Sequence, residues 1–261
     1  MIRFFEEKDK EAVISLWQEA FGDKREEIAV FVDFFKSGLL VFENDGQVVS
    51  MLTLIKTSVG AKKGRYVYAV ATDKKFRGMG FASRLIDFAK QYISDNDEIF
   101  LVLVPREKSL FNFYKKHGFC ELCCCEKIEK KINIYENIDV KAETITAEDY
   151  FSFRESFFAG EKHAVWDIKM LDFIKKAYRG DFIALRKENR VCGTAFCYVA
   201  GDVLVVSELL QRGNPDTSIN ALGKFFRLSK VFCIIAKNQG DKFAMIYPEE
   251  FRDTYFGLAM K

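Results

Sequence analysis

The stretch YVYAVATDKKFRGMGFA, residues 66–82, constrains the fold of this chain more than any other, because it joins an apolar strand, a basic glycine turn and an amphipathic helix. Strand patterning occupies residues 66–72, and the turn carries Arg77, Gly78 and Gly80. Apolar residues then recur at Phe81, Leu85, Phe88, Ala89 and Tyr92 with helical period. A helix therefore starts where the glycines end. Its first amides lack intrahelical partners and lie at the positive end of the helix dipole, so the sequence builds an anion site. Glycine lets the backbone come close to such an anion.

Two familiar phosphate motifs do not fit. No Gly-x4-Gly-Lys-Ser/Thr string follows, and the third glycine slot of a dinucleotide fingerprint is occupied by Ser83. The spacing does match Arg-x-x-Gly-x-Ala, read at Arg77, Gly80 and Ala82, and this resembles the coenzyme A pyrophosphate loop of the GNAT (GCN5-related N-acetyltransferase) superfamily. A second motif lies about 30 residues on, in the expected order. The string SLFNFYKKHGF, residues 109–119, resembles the family's helix ending in Tyr-x-x-x-Gly-Phe, and it follows an apolar strand at 99–104 that Pro105 terminates.

The first 135 residues read as strand, helix, helix, hairpin, long strand, helix, strand, helix, strand. The hairpin is centred on Asp45-Gly46. The second half reads as a worn copy. FKSGLLVFENDGQV at 35–48 lies without gaps over YRGDFIALRKENRV at 178–191, a constant shift of 143, and residues 146–150 and 203–210 supply a strand-to-helix start and a long strand. Its glycine turn is replaced by QRGNPDTS at 211–218, where Pro215 has no amide hydrogen and one glycine remains. The expectation is an α/β fold of two GNAT-like domains, each a twisted mixed sheet flanked by helices. Residues 1–135 would form the acetyl-CoA-binding catalytic domain, and 142–261 a degenerate domain without a coenzyme loop. Residues 255–261 read as a last strand.

Composition narrows the partners. The 40 basic and 38 acidic residues are mixed along the chain, so bulk charge points to no nucleic acid. No apolar run approaches a membrane span, and the start MIRFFEEK is charged too early for a secretory signal, so a cytoplasmic protein without membrane association is expected. Seven cysteines without secretory context favour free thiols. CELCCC at 120–125 has no second pair at zinc-site spacing, and no metal is expected. His117 and His163 have no triad or ligand partner nearby in sequence and read as structural or surface groups.

The resemblance implies an N-acetyltransferase that moves an acetyl group from acetyl-CoA to a primary amine of a small molecule or peptide. By that likeness Arg77, Gly78, Met79, Gly80, Phe81 and Ala82 hold the pyrophosphate, Val70 and Thr72 hydrogen-bond the pantetheine arm, and Tyr114 is the general acid. The strand at 66–72 lacks the carboxylate that many family members use as a base, and Glu107 stands where the family has an asparagine. Glu26 and Glu27 lie on the acceptor side but read more simply as helix-start acids. Some tandem relatives bring the C-terminal carboxylate to the active site, which here would be that of Lys261. The second domain would shape the acceptor pocket or an oligomer interface, so a homodimer stays open. Two rival readings use the same features: a non-catalytic acyl-CoA sensor, and a Fem-like transferase that takes its acyl group from tRNA.

Overall fold

The computed structural model describes residues 1–237 and 240–258, and its chain divides into two compact units. The first comprises Met1–Glu121 and Ala244–Arg252, and the second takes Leu122–Phe243 together with the segment from Asp253.

The first unit contains β1 (Ile2–Phe4), α1 (Lys10–Phe21), α2 (Arg25–Phe35), β2 (Leu39–Asn44), β3 (Gln47–Val59), β4 (Lys62–Thr72), α3 (Phe81–Asp95), β5 (Phe100–Leu103) and α4 (Lys108–Lys116). Strands β1 to β4 pair antiparallel in sequence order, and β4 pairs parallel with β5 across the α3 crossover. The β2–β3 hairpin turns on Asp45 and Gly46, both at positive φ as a type I′ turn requires. One face of α3 buries Phe81, Leu85, Ile86, Ala89 and Ile93 against Leu52, Leu54, Val67 and Leu101 of the sheet. Arg65 and Glu98 form a buried bidentate pair, both bonds 2.6 Å, which ties β4 to the loop before β5.

The second unit contains most of β6 (Cys120–Lys131), then β7 (Val140–Ile145), α5 (Ala147–Phe157), the two-residue β8 (Ala164–Val165), α6 (Ile168–Tyr178), β9 (Asp181–Lys187), β10 (Arg190–Ala200), β11 (Val203–Gln211), α7 (Pro215–Phe226), β12 (Lys230–Lys237) and the start of β13 (Asp241–Tyr247). Its sheet runs β7-β9-β10-β11-β12-β6. All neighbours are antiparallel except β11 and β12. This is the pairing pattern of the first unit with β7 in the place of β1. The registers agree under the shift of 143: Val41↔Met51 matches Ala184↔Thr194, and Glu43↔Val48 matches Arg186↔Val191. The turn at Glu188 and Asn189 is also left-handed at both residues.

The division between units differs from the expected 135–142 boundary. The strand expected to close the first domain, at 119–128, belongs from Leu122 onward to the second unit, where it pairs with β12. Its place beside β5 is filled from the other end of the chain: Met245↔Leu103, Ile246↔Val102 and Tyr247↔Leu101 pair antiparallel. Met245 is fully buried among Leu101, Leu103, Phe111 and Tyr114. Local patterning specifies a strand at each place but not which sheet edge it joins, because pairing partners are chosen among segments distant in sequence. Of the last strand expected at 255–261, residues 255–258 form no strand and 259–261 lie outside the described residues. Strand β13 ends at Tyr247, and Tyr255 forms a single bridge to His163. Lys261 lies outside the described residues.

Candidate active site

Strand β4 outruns its parallel partner. Pairing with β5 begins at Gly64↔Phe100 and ends at Val67↔Leu103, whereas β4 continues to Thr72. Its register with β3 shifts between Thr53↔Tyr68 and Met51↔Ala71. Such a bulge increases local twist and turns the strand end aside. Ala69 within it has φ 52°, a left-handed conformation that costs an alanine about 1–2 kcal/mol. Strain of this kind is held where surrounding structure fixes the chain, here by Ser50, whose hydroxyl bonds Ala71 O and Thr72 Oγ1 at 2.8 Å each. Val70 packs half-buried against the core of the unit, and Thr72 ends the strand.

The turn that follows is shaped by its own polar groups. The Asp73 carboxylate accepts from Lys75 N at 2.8 Å and starts a single 3-10 turn, and the Arg77 guanidinium folds back to donate to Thr72 O at 3.1 Å. Gly78 and Gly80 both have φ 80°, and a Cβ on either would meet nothing within 4 Å. Glycine is needed here for its backbone conformation, and the space outside the turn is open. Gly80 caps α3 without a side chain, and the first helical bond is Arg84 N to Gly80 O at 3.0 Å. The amides of Phe81, Ala82 and Ser83 come before that bond at the positive end of a 15-residue helix. Met79 is exposed, Ala82 is half-buried, and the Phe81 ring is buried against Phe42 at 4.5 Å. Lys74, Lys75 and Arg77 give the turn a positive charge.

Tyr114 lies on the buried face of α4, in the same apolar cluster as Val67, Leu103 and Phe81. Its ring stands edge-on to Phe119 at 5.8 Å and to Phe113 at 5.0 Å. Burial pushes its phenol well above the ordinary tyrosine value, so it stays protonated at neutral pH and can serve as an acid. Glu26 and Glu27 are exposed in the first turn of α2, as helix-start acids are. Glu107 precedes α4, where its carboxylate accepts from Ser109 Oγ at 3.4 Å.

The two histidines depart from the sequence expectation, because each has a polar partner. His117 Nε2 lies 3.0 Å from Ser83 Oγ and its Nδ1 lies 3.3 Å from Asp87 Oδ1. This links the first turns of α3 to the end of the Tyr114 helix. His163 Nε2 lies 3.1 Å from both carboxylate oxygens of Glu155. The i, i+4 spacing of Ser83 and Asp87 on one helix face was the readable half of the first contact. The histidine comes from a helix 30 residues away, so no local pattern announced it. The bulge at Ala69 was likewise silent, since an alanine gives no signal of positive φ.

All seven cysteines are free thiols. Among the described residues no group of three or more His, Cys, Asp or Glu is placed to hold a metal ion, and no helix is long and apolar enough to cross a membrane.

Comparison with known proteins gives the site its context. No curated protein matches the chain. Among solved structures, a GCN5-related N-acetyltransferase from Anabaena variabilis superposes with TM-score 0.69 at 15% identity, covering 94% of this chain and 72% of that one. One from Sphaerobacter thermophilus gives TM-score 0.61 at 13% identity, covering 94% and 93%. Eis1 from Mycobacterium abscessus gives 0.60 at 10% identity, covering 94% and 73%. At these identities the likeness is one of fold, and it extends well beyond the first unit. The family model of the acetyltransferase (GNAT) domain matches residues 1–122, the segment that carries the splayed strand, the glycine turn and the Tyr114 helix. Residues 1–122 are thus similar to the acetyltransferase domain of the GNAT family.

Proposed function

We propose that the N-terminal unit transfers an acetyl group from acetyl-CoA to a primary amine of a small molecule or peptide by direct attack. The observation that carries the reading is the continuity of three parts: a strand that leaves its parallel partner, a left-handed glycine turn with open space outside it, and a helix start without a capping side chain. These parts fit coenzyme A, whose pyrophosphate suits the amides of Phe81, Ala82 and Ser83 with the charge of Arg77 beside them. Acetyl-CoA, when bound, supplies an activated acyl carbon and a thiolate leaving group.

The chain's own residues do the remaining work. Val70 and Thr72, past the end of the β5 pairing, offer backbone groups to which the amide-bearing pantetheine arm adds like a strand. A backbone N–H of the bulged strand polarises the acyl carbonyl. Tyr114 donates its proton to the leaving thiolate, and its burial keeps that proton in place until it is needed. Residues 66–72 carry no carboxylate, so the ammonium of the acceptor loses its proton through water rather than to a group on β4.

The C-terminal unit, with the same strand order and register, is on this reading a second copy of the fold without a coenzyme turn. The test is acetyl-CoA-dependent thiol release across polyamines, aminoglycosides, amino acids and peptide N-termini, with Tyr114→Phe as the companion variant. At least one amine should release thiol with the wild-type chain, and the variant should lose about 10²-fold or more in kcat while its calorimetric affinity for CoA is unchanged. If CoA binds and no amine raises thiol release above the buffer blank, catalysis is the wrong reading and the chain is an acyl-CoA sensor. If CoA does not bind, the coenzyme assignment fails.

A further inference from the structure

The C-terminal unit repeats the strand divergence of the first unit but pairs it with different chemistry. Parallel pairing of β11 with β12 ends at Val206↔Cys233, and the next residues, Ser207 and Ile234, line a cleft. Ser207 is a bulge residue: Phe196 pairs with Glu208 and Cys197 with Val206, which leaves Ser207 between them. The cleft opens to solvent at its mouth and is lined mostly by apolar and aromatic side chains, as small-molecule pockets are. Its walls are Phe196 and Tyr198 of β10, Ile174 and Tyr178 of α6, and Tyr255, Gly257 and Leu258. The rings of Tyr178 and Tyr198 lie 5.0 Å apart at 37°.

These walls are held in place. Glu208, beside Ser207, is fully buried and accepts from Tyr255 Oη at 3.1 Å, from Tyr150 Oη and from Arg154 Nε at 3.1 Å. Trp166 Nε1 donates to Gly257 O at 3.1 Å, and Tyr255 exchanges backbone bonds of 2.8 Å with Lys162 and Ala164. The strand bulge and the segment after residue 253 are thus fixed against each other by a buried polar network.

The anion half of the site is closed. Asn214 Oδ1 accepts from Asp216 N at 2.9 Å and caps α7, Pro215 removes an amide, and Asp216 places a carboxylate in the first turn, paired with Lys130 at 2.7 Å. Ser218 Oγ is taken by Gln211 Oε1. A phosphate at this helix start would meet a capped end and an acid. None of the described residues lining the cleft carries a formal charge at neutral pH, so among them a charged ligand would lose its hydration without gaining a counter-ion.

We propose that the C-terminal unit holds a binding site of its own, the cleft between the diverging ends of β11 and β12, and that it takes a small uncharged ligand built on an aromatic ring with one hydrogen-bonding group. The rings of Phe196, Tyr178, Tyr198 and Tyr255 stack on or stand edge-on to the ligand ring, and the hydroxyl-bearing residues Ser207 and Tyr198 supply its polar contact. The site is independent of coenzyme binding in the first unit.

The experiment titrates the full chain with indole and with phenol, and with phenethylammonium and CoA as charged comparisons, following backbone amide shifts of Ser207 and Leu258 by NMR. Saturable binding of a neutral probe should shift those amides. Ser207→Leu, which fills the cleft, and Tyr178→Ala, which removes a wall at the end of α6, should each weaken it about tenfold or more. Three results would overturn the proposal. They are no saturable response to either neutral probe, a response unchanged in both variants, and equal or tighter binding of phenethylammonium or CoA at the same amides.

Discussion

A chain cut after residue 135 tests the exchange of strands between the sequence halves. It keeps every element of the matched GNAT segment and loses residues 244–252, which complete the first unit. Within the lost piece Met245 and Ile246 are essentially fully buried, and Phe251 packs on Phe100 at 5.0 Å between ring centres. Burying a large apolar side chain is worth about 1.5–3 kcal/mol, so these three carry roughly 5–9 kcal/mol. Three register pairs with β5 go as well, which exposes an apolar strand edge along Leu101 to Leu103. A domain of this size has about 5–15 kcal/mol in all. The fragment should therefore show no cooperative urea transition and weak near-ultraviolet circular dichroism, with helix signal retained. Adding a peptide of residues 241–252 in trans should restore the transition in proportion to its concentration. A fragment 1–135 that unfolds cooperatively, with a midpoint like that of the first unit in the full chain, would refute the argument that β13 is integral to the N-terminal sheet.

Two glycine-to-alanine variants separate conformational from steric cost. Gly80→Ala meets open space but must adopt φ 80°, at about 1 kcal/mol, and it should weaken CoA binding measurably by calorimetry. Gly64→Ala would put a Cβ 2.5 Å from Phe100 O and should cost about 3 kcal/mol or more in the urea midpoint at unchanged m-value. Glu208→Gln keeps the shape of the buried network but leaves Arg154 only the more distant, partly exposed carboxylate of Glu155, at 3.7 Å; a loss of about 3 kcal/mol in the second unit is expected by urea denaturation. Asp9 hydrogen-bonds Arg3 at 2.6 and 2.9 Å, which lowers its folded pKa; its stabilisation is full above the unfolded value near 4 and is lost as pH falls through the folded one. Asp9→Asn should accordingly lower the melting temperature at pH 7 and flatten the acid decline. Burial raises the Tyr114 phenol, so the alkaline limb of kcat due to this acid should lie above the ordinary tyrosine value and vanish in Tyr114→Phe, as a pH–rate profile would report.

The parts of the site that were legible in sequence are those whose chemistry is local. A strand, two glycines and an amphipathic helix in succession leave few backbone paths, and the turn at Gly78 and Gly80 took the left-handed form that only glycine enters freely. The matching hairpin registers of the two units were legible for the same reason. A hairpin register is set by its turn, and Asp45-Gly46 and Glu188-Asn189 impose the same two-residue turn 143 positions apart. Contacts chosen among distant partners were not legible. Strands β13 and β6 are both extended, and a local strand pattern does not say which of them is seated beside β5. The Glu208 network needed residues from 150 to 255 to converge on a single carboxylate. That network also explains how the second sheet holds its diverging strands without a glycine turn like that at Gly78 and Gly80. In the first unit Ala69 is held at positive φ, with Ser50 bonding the neighbouring strand end. In the second, a buried ion pair and two tyrosine hydroxyls hold the strand beside Ser207. The divergence of β11 from β12 thus has a support that does not depend on the turn before α7.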